Sequence, residues 1–168
     1  MGTLTYTGYS VSSIKKWTGS GGGGHWETGT IPVDLATTTP VTLARIVTNT
    51  LAAGDLLKIH AWARVTNDCG YTVGIGWYLK GYEYTGPGVV NPYFDIETYN
   101  GENVTPNGSM HHMPMHWSGL WQVPPELDGK RIVLMFRADA HSTAWQSGDT
   151  ITIDQGYGQF WVEHLKEQ

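Results

Sequence analysis

An all-β chain, folded as a β-sandwich or jelly roll behind an extended N-terminal arm, is what three features of these 168 residues point to. Composition is the first: 22 Gly with 8 Trp, 9 Tyr and only 3 Phe. β-branched and aromatic side chains suit a pleated, half-buried surface, and glycine supplies turns. Short stretches of period-two alternation, separated by Gly/Asp/Pro turns, are the second. The third is negative: apolar spacings of three and four never persist for two helical turns.

Residues 1–29 read as the arm and residues 30–168 as the domain. Thr, Ser, Gly and Tyr dominate the arm, and Gly19-Ser20-Gly21-Gly22-Gly23-Gly24 has no conformational preference of its own. A short anchor from Leu4 to Trp17 is expected before this hinge, and Trp17 and Trp26 flank it. Large rings beside a linker need somewhere to pack. Leu4, Tyr6, Tyr9, Ile14, Trp17 and Trp26 are therefore the expected arm contacts.

Strands then follow one another. Ile31–Leu35 and Val41–Val47 alternate. Gly54-Asp55 opens Leu57–Val65, whose odd positions are apolar and whose other face carries Trp62. After the Asn67–Gly70 turn, Tyr71–Leu79 places large residues at odd positions, while Gly74 and Gly76 leave the opposite face bare. Bare glycines in a strand signal a bulge or a close neighbour. Further strands are expected near 93–98, 110–123, 131–138, 150–154 and 159–165. The turn Ala53-Gly54-Asp55 is echoed by Ser147-Gly148-Asp149, each just before an apolar strand.

Charge and composition exclude several functions. The formal charge is −5, and no basic cluster exceeds the pairs Lys15-Lys16 and Lys130-Arg131. That is too little positive charge for a partner bound through its phosphates, so no nucleic acid is expected. No apolar run is long enough for a helical membrane span, so no membrane is expected. The single Cys69 excludes an intrachain disulfide framework. Met1–Tyr6 has neither a basic nor an apolar leader region, which predicts synthesis in a cytoplasm without a Sec signal.

No catalytic motif emerges. Gly19, Gly21 and Gly24 fit a dinucleotide fingerprint only because they lie in a glycine run, with no strand before and no helix after. His111-His112-Met113-Pro114-Met115-His116 is the most chemically suggestive segment. On a strand, however, His112 and His116 share one face and His111 takes the other. A zinc site needs three or four converging ligands, and only His60, His141 and Asp139 offer themselves as more distant candidates. These imidazoles are expected to be partly buried or at an interface, and no metal is assigned. Pro114 marks an edge strand or bulge. Asp95 and Glu97 share a strand face but do not flank a cleft, as a glycosidase requires. Trp77, Trp121 and Trp161 are expected in the core or an interface, and Trp62, Trp117 and Trp145 at the surface. With His112 and His116, these last three are the candidate glycan or partner contacts. No enzyme activity and no cofactor is expected.

The C-terminal half adds a resemblance. Asn103-Val104-Thr105-Pro106, His111-His112, Leu120-Trp121-Gln122-Val123-Pro124, Ala138-Asp139-Ala140, Ser147-Gly148-Asp149-Thr150 and Asp154-Gln155-Gly156-Tyr157-Gly158 occur in that order. Together, over about residues 50–165, they resemble small virion-associated β-sandwich proteins of tailed bacteriophages. The resemblance implies a non-enzymatic structural protein, made in the host cytoplasm and carried on the outer surface of the virion. It would be a capsid decoration protein, a homotrimer bracing the major capsid protein or other virion proteins. The alternative it leaves open is a tail or fibre receptor-binding module that recognises a host surface glycan.

Overall fold

The computed structural model describes residues 8–16, 30–31, 41–86, 93–104, 112–142, 146–147 and 149–167. Among them are nine strands and one 3-10 turn: β1 (Tyr9–Lys16), β2 (Thr30–Ile31), β3 (Val41–Val47), β4 (Leu56–Asn67), β5 (Val73–Glu83), β6 (Tyr93–Val104), β7 (His112–Gln122), the turn Pro125–Leu127, β8 (Ile132–His141) and β9 (Ile151–Glu167). They form two antiparallel sheets. One runs β1-β9-β4-β7, with β2 also on β9, and the other runs β3-β8-β5-β6.

The pairing is nested. β5 pairs with β6, β4 with β7, β3 with β8, and β1 with β9. The chain is thus one long hairpin, folded over so that its layers alternate between two sheets, which is the jelly-roll wrap. The expected all-β jelly roll is the fold observed.

The core lies between the sheets and follows the alternation. Leu57, Ile59, Ala61, Ala63 and Val65 of β4 face inward, against Val73, Ile75, Trp77 and Leu79 of β5. Trp77 stacks on Phe136 at 5.3 Å, and Phe136 on Phe160 at 5.7 Å, so this aromatic column bridges the two sheets. Such pairs contribute about 0.5–1.5 kcal/mol beyond the area they bury.

The repeated Gly-Asp turns share one local bond pattern. The Asp55 carboxylate accepts the Ala52 N–H at 2.9 Å, and the Asp149 carboxylate accepts the Gln146 N–H at 2.7 Å, each from three residues upstream. In both, the Asp N–H also donates back to that residue's carbonyl. Gly54 has φ +88°, a conformation in which an L side chain is strained, and this is why glycine precedes Asp55.

Three elements differ from expectation. The separate strands near 150–154 and 159–165 are a single strand, β9. Its break is absorbed as a bulge: Ile153 pairs with Val65 and Gly158 with Ala63, so residues 154–157 stand opposite Arg64 alone. β6 continues to Val104, past the expected end at Thr98. Tyr9–Lys16, which the sequence placed in the arm, lies along β9 from Glu167 to Trp161 as an edge strand. Thr30–Ile31 rejoins that same strand opposite Thr152 and Ile151. Most of the strand expected at Ile31–Leu35, and the glycine run, lie outside the described residues.

Candidate interaction surface

The outer face of the β1-β9-β4-β7 sheet is built from the even positions of β4 and their cross-strand partners. Lys58, His60 and Trp62 are half-buried there, while the odd positions between them are buried. Register sets three rows across the sheet. Ile14, Glu163, Lys58 and Leu120 form one, Lys16, Trp161, His60 and Ser118 the next, and Gln159, Trp62 and His116 the third.

Each row has its own chemistry. In the first, Lys58 Nζ lies 3.5 Å from Glu163 Oε2. That ion pair is flanked by Ile14 and Leu120, which are 57% and 58% exposed, two of the most exposed large apolar side chains described. In the second, His60 stacks on Trp161 at 4.8 Å and 16°. Burial, and then the nearby Lys58 ammonium, hold the His60 imidazole below its ordinary pKa, partly offset by Glu163. In the third, Trp62 lies 6.4 Å from His116. The rings stand against one another across the strands, so each indole already spends one face on a histidine.

Trp117 was expected at the surface and is instead buried, at 6% exposure. The alternation of β7 explains the correction: His116, Ser118 and Leu120 point outward, so Trp117 must point inward. Its partner across the sheet is Ala61, small enough to leave room for an indole. Trp77 is in the core as expected, and Trp121 packs against it from a half-buried position. His112 sits in β7 opposite Thr66. β7 is an edge strand, as Pro114 suggested. Leu4, Tyr6, Trp17, Trp26, His111 and Trp145 lie outside the described residues.

His60 does not meet His141 and Asp139, because they belong to different sheets. On β8, Asp139 accepts the Tyr78 hydroxyl at 2.9 Å and lies 2.8 Å from His141 Nε2. Among the described residues, no group of three His, Cys, Asp or Glu side chains could hold a metal ion. Register places Asp95 opposite Lys80 and Glu97 opposite Leu79.

Two polar clusters join residues far apart in the sequence, and both grow from the Gly-Asp turns. Asp55 Oδ2 lies 2.6 Å from His164 Nε2, with both side chains about 4% exposed. Asp149 accepts the Tyr71 hydroxyl, whose pKa is pushed up by burial and by that carboxylate. Beside it, Cys69 is buried and burial pushes its thiol pKa up too, so it is a packed rather than a reactive thiol. The turn motif could be read from sequence, but its distant partners could not.

β1 closes the sandwich at one edge. The Tyr9 hydroxyl donates to the Gly54 carbonyl at 3.4 Å, and the Ser12 hydroxyl to the His164 carbonyl at 3.0 Å. Lys15 Nζ donates to the Val47 carbonyl at 3.0 Å, and Asn49 Nδ2 to Ser13 Oγ at 3.1 Å, so both reach the β3 side. A small recess remains beneath β1, floored by Ile46, Leu57, Val162 and His164.

No family model matches this sequence, and no curated protein matches it. Among solved structures, one of the infectious bursal disease virus Gx strain is similar at a TM-score of 0.47 and 11% identity, over 94% of this chain and 33% of that one. A structure of the T13 IBDV viral particle is similar at a TM-score of 0.44 and 13% identity, over 92% of this chain and 35% of that one. The chain spans about a third of the length of those solved chains. At these scores the likeness is too coarse to carry an argument about what the protein does.

Proposed function

We propose that this protein is a non-enzymatic structural component of a virion, a jelly-roll subunit that decorates the outside of a capsid as a homotrimer and braces neighbouring capsid proteins. The observation that carries the reading is the outer face of the first sheet. There Ile14 and Leu120 are more than half exposed on either side of an ion pair, beside a band of Trp and His rings. Apolar groups gathered on one sheet face suit a protein partner. The jelly-roll wrap agrees with the reading, since that wrap is common in viral shells, although it also serves lectins. The sequence resemblance over residues 50–165 points the same way.

The experiment is a reconstitution. Particles assembled without the chain are mixed with purified protein and sedimented. The decoration reading expects saturable co-sedimentation, which Leu120→Asp abolishes and Trp62→Ala leaves largely intact. A folded protein that stays in the supernatant overturns it.

A second reading, a tail or fibre module binding a host glycan, is favoured by the half-buried Trp62 beside the exposed His116. It expects the reverse: binding to host cells that Trp62→Ala removes, with no affinity for the capsid.

A further inference from the structure

The outer face of the first sheet carries two imidazoles, and each stands against an indole. His60 stacks on Trp161 at 4.8 Å, and His116 lies 6.4 Å from Trp62 in the next row. His60 is half-buried and His116 exposed, so both belong to the surface that a docked protein would cover. Imidazole is the side chain whose charge ordinarily changes between about pH 5 and about pH 8.

The charges around His60 can be named strand by strand. On β4 itself, Lys58 precedes it on the same face, and Arg64 follows two rows further on. β9 contributes Glu163, whose carboxylate lies 3.5 Å from Lys58 Nζ. β1 contributes Lys16, exposed and in the same row as His60. β7 contributes Ser118 in that row and His116 in the next. Among the described residues of these rows, Glu163 is the one carboxylate, and it is engaged with an ammonium. A positive charge on His60 therefore has no counter-ion reserved for it. Burial, and then the Lys58 ammonium, already hold its imidazole below the ordinary pKa, with Glu163 offsetting them in part. A charged ring also gains from the face of Trp161, but that gain is present before docking as well as after.

A protein seated on this face takes water away from His60 and leaves Lys58 in place. Losing water makes a charged imidazole costlier and strengthens its repulsion from the ammonium. From this cluster we infer that attachment through the face is proton-linked: the docked state holds His60 uncharged, and acidification releases the protein. The inference takes its partner from the decoration reading and adds the regulation of that contact. Its sign follows from linkage. Docked His60 holds protons less readily than free His60, so affinity is full above the free protein's pKa and falls as pH drops through it. One such group changes affinity by at most about tenfold per pH unit.

The test repeats the co-sedimentation at about pH 7.5 and about pH 5, on the parent, His60→Phe and His60→Gln, with circular dichroism confirming the fold at both. The quantity read is each chain's own ratio of affinities at the two pH values, so a response of the particle itself enters all three ratios alike. The parent's affinity should be at least about threefold weaker at the lower pH, and both variants should lose that difference. A parent that binds equally at both pH values, or more tightly at the lower one, overturns the proton link and leaves decoration standing. A ratio that persists unchanged in the folded variants overturns it too, because the titrating group then lies elsewhere. A folded parent that sediments with particles at neither pH overturns the decoration reading, and the proton link falls with it.

Discussion

Asp55 sits at three junctions at once. Its carboxylate closes its own turn on the Ala52 N–H, and its carbonyl accepts the N–H of Val123. The same carboxylate meets His164 from a position 109 residues away, with almost no water near either group. Removing one partner of such a pair leaves the other buried without its hydrogen bond, a loss of about 1–3 kcal/mol. Asp55→Ala should therefore lower the unfolding free energy by that amount in a denaturant titration. A loss under about 1 kcal/mol would show that the pair is not buried as described.

His60 sets a pH dependence of known sign. Its folded pKa lies below the ordinary 6.5, so just below that value the unfolded chain holds more protons than the folded one. Stability is then fully present above pH 6.5 and declines as pH falls through the lower, folded value. His60→Phe keeps a ring against Trp161 and removes the titration. Its stability should vary less with pH below 6.5 than that of the parent, and identical pH profiles would contradict the assignment. Neither residue's role was legible in the sequence. The Gly-Asp motif identifies a turn, while His164 and Trp161 become neighbours only through the pairing of β4 with β9. Trp117 is different: once His116 is placed outward, the alternation itself sends Trp117 into the core.

A strand is legible in the sequence to the extent that one of its faces is buried. β4 and β5 alternate strongly because one face is buried throughout, and period two is what burial of one face imposes on a strand. β1 reads Tyr-Ser-Val-Ser-Ser-Ile-Lys-Lys, and with no buried residue it carries no such signal. It looked like an arm because an edge strand held by its ladder makes few demands on sequence. Asp154–Gly158 has the composition of a turn and so predicts two strands, whereas the sheet takes it up as a bulge within β9.

Deletion of residues 1–29 now carries a definite expectation. It removes β1, uncovers the apolar floor at Ile46, Leu57 and Val162, and leaves one edge of β9 open. Four lost side-chain hydrogen bonds, at about 1 kcal/mol each, correspond to a fall in Tm of order 10 °C for a chain of this size. The truncated protein should melt lower and associate through the open edge in light scattering. An unchanged Tm would mean that β1 contributes nothing to the folded domain.

At the scale of the molecule, the nested pairs and the shared turn chemistry explain how one hairpin closes into two sheets. The sandwich architecture was legible from composition, alternation and turns together. The nesting order was not, because it joins strands more than a hundred residues apart, such as β1 and β9. The virion proposal makes this jelly roll a structural part of a particle's outer surface. An electron cryomicroscopy map of purified particles, resolved well enough to trace strands, tests it most directly. Density for the β1-β9-β4-β7 and β3-β8-β5-β6 sheets is expected outside the shell, with Ile14 and Leu120 against a neighbouring protein. A shell without that density, or the same jelly roll with this face turned to solvent, would contradict it.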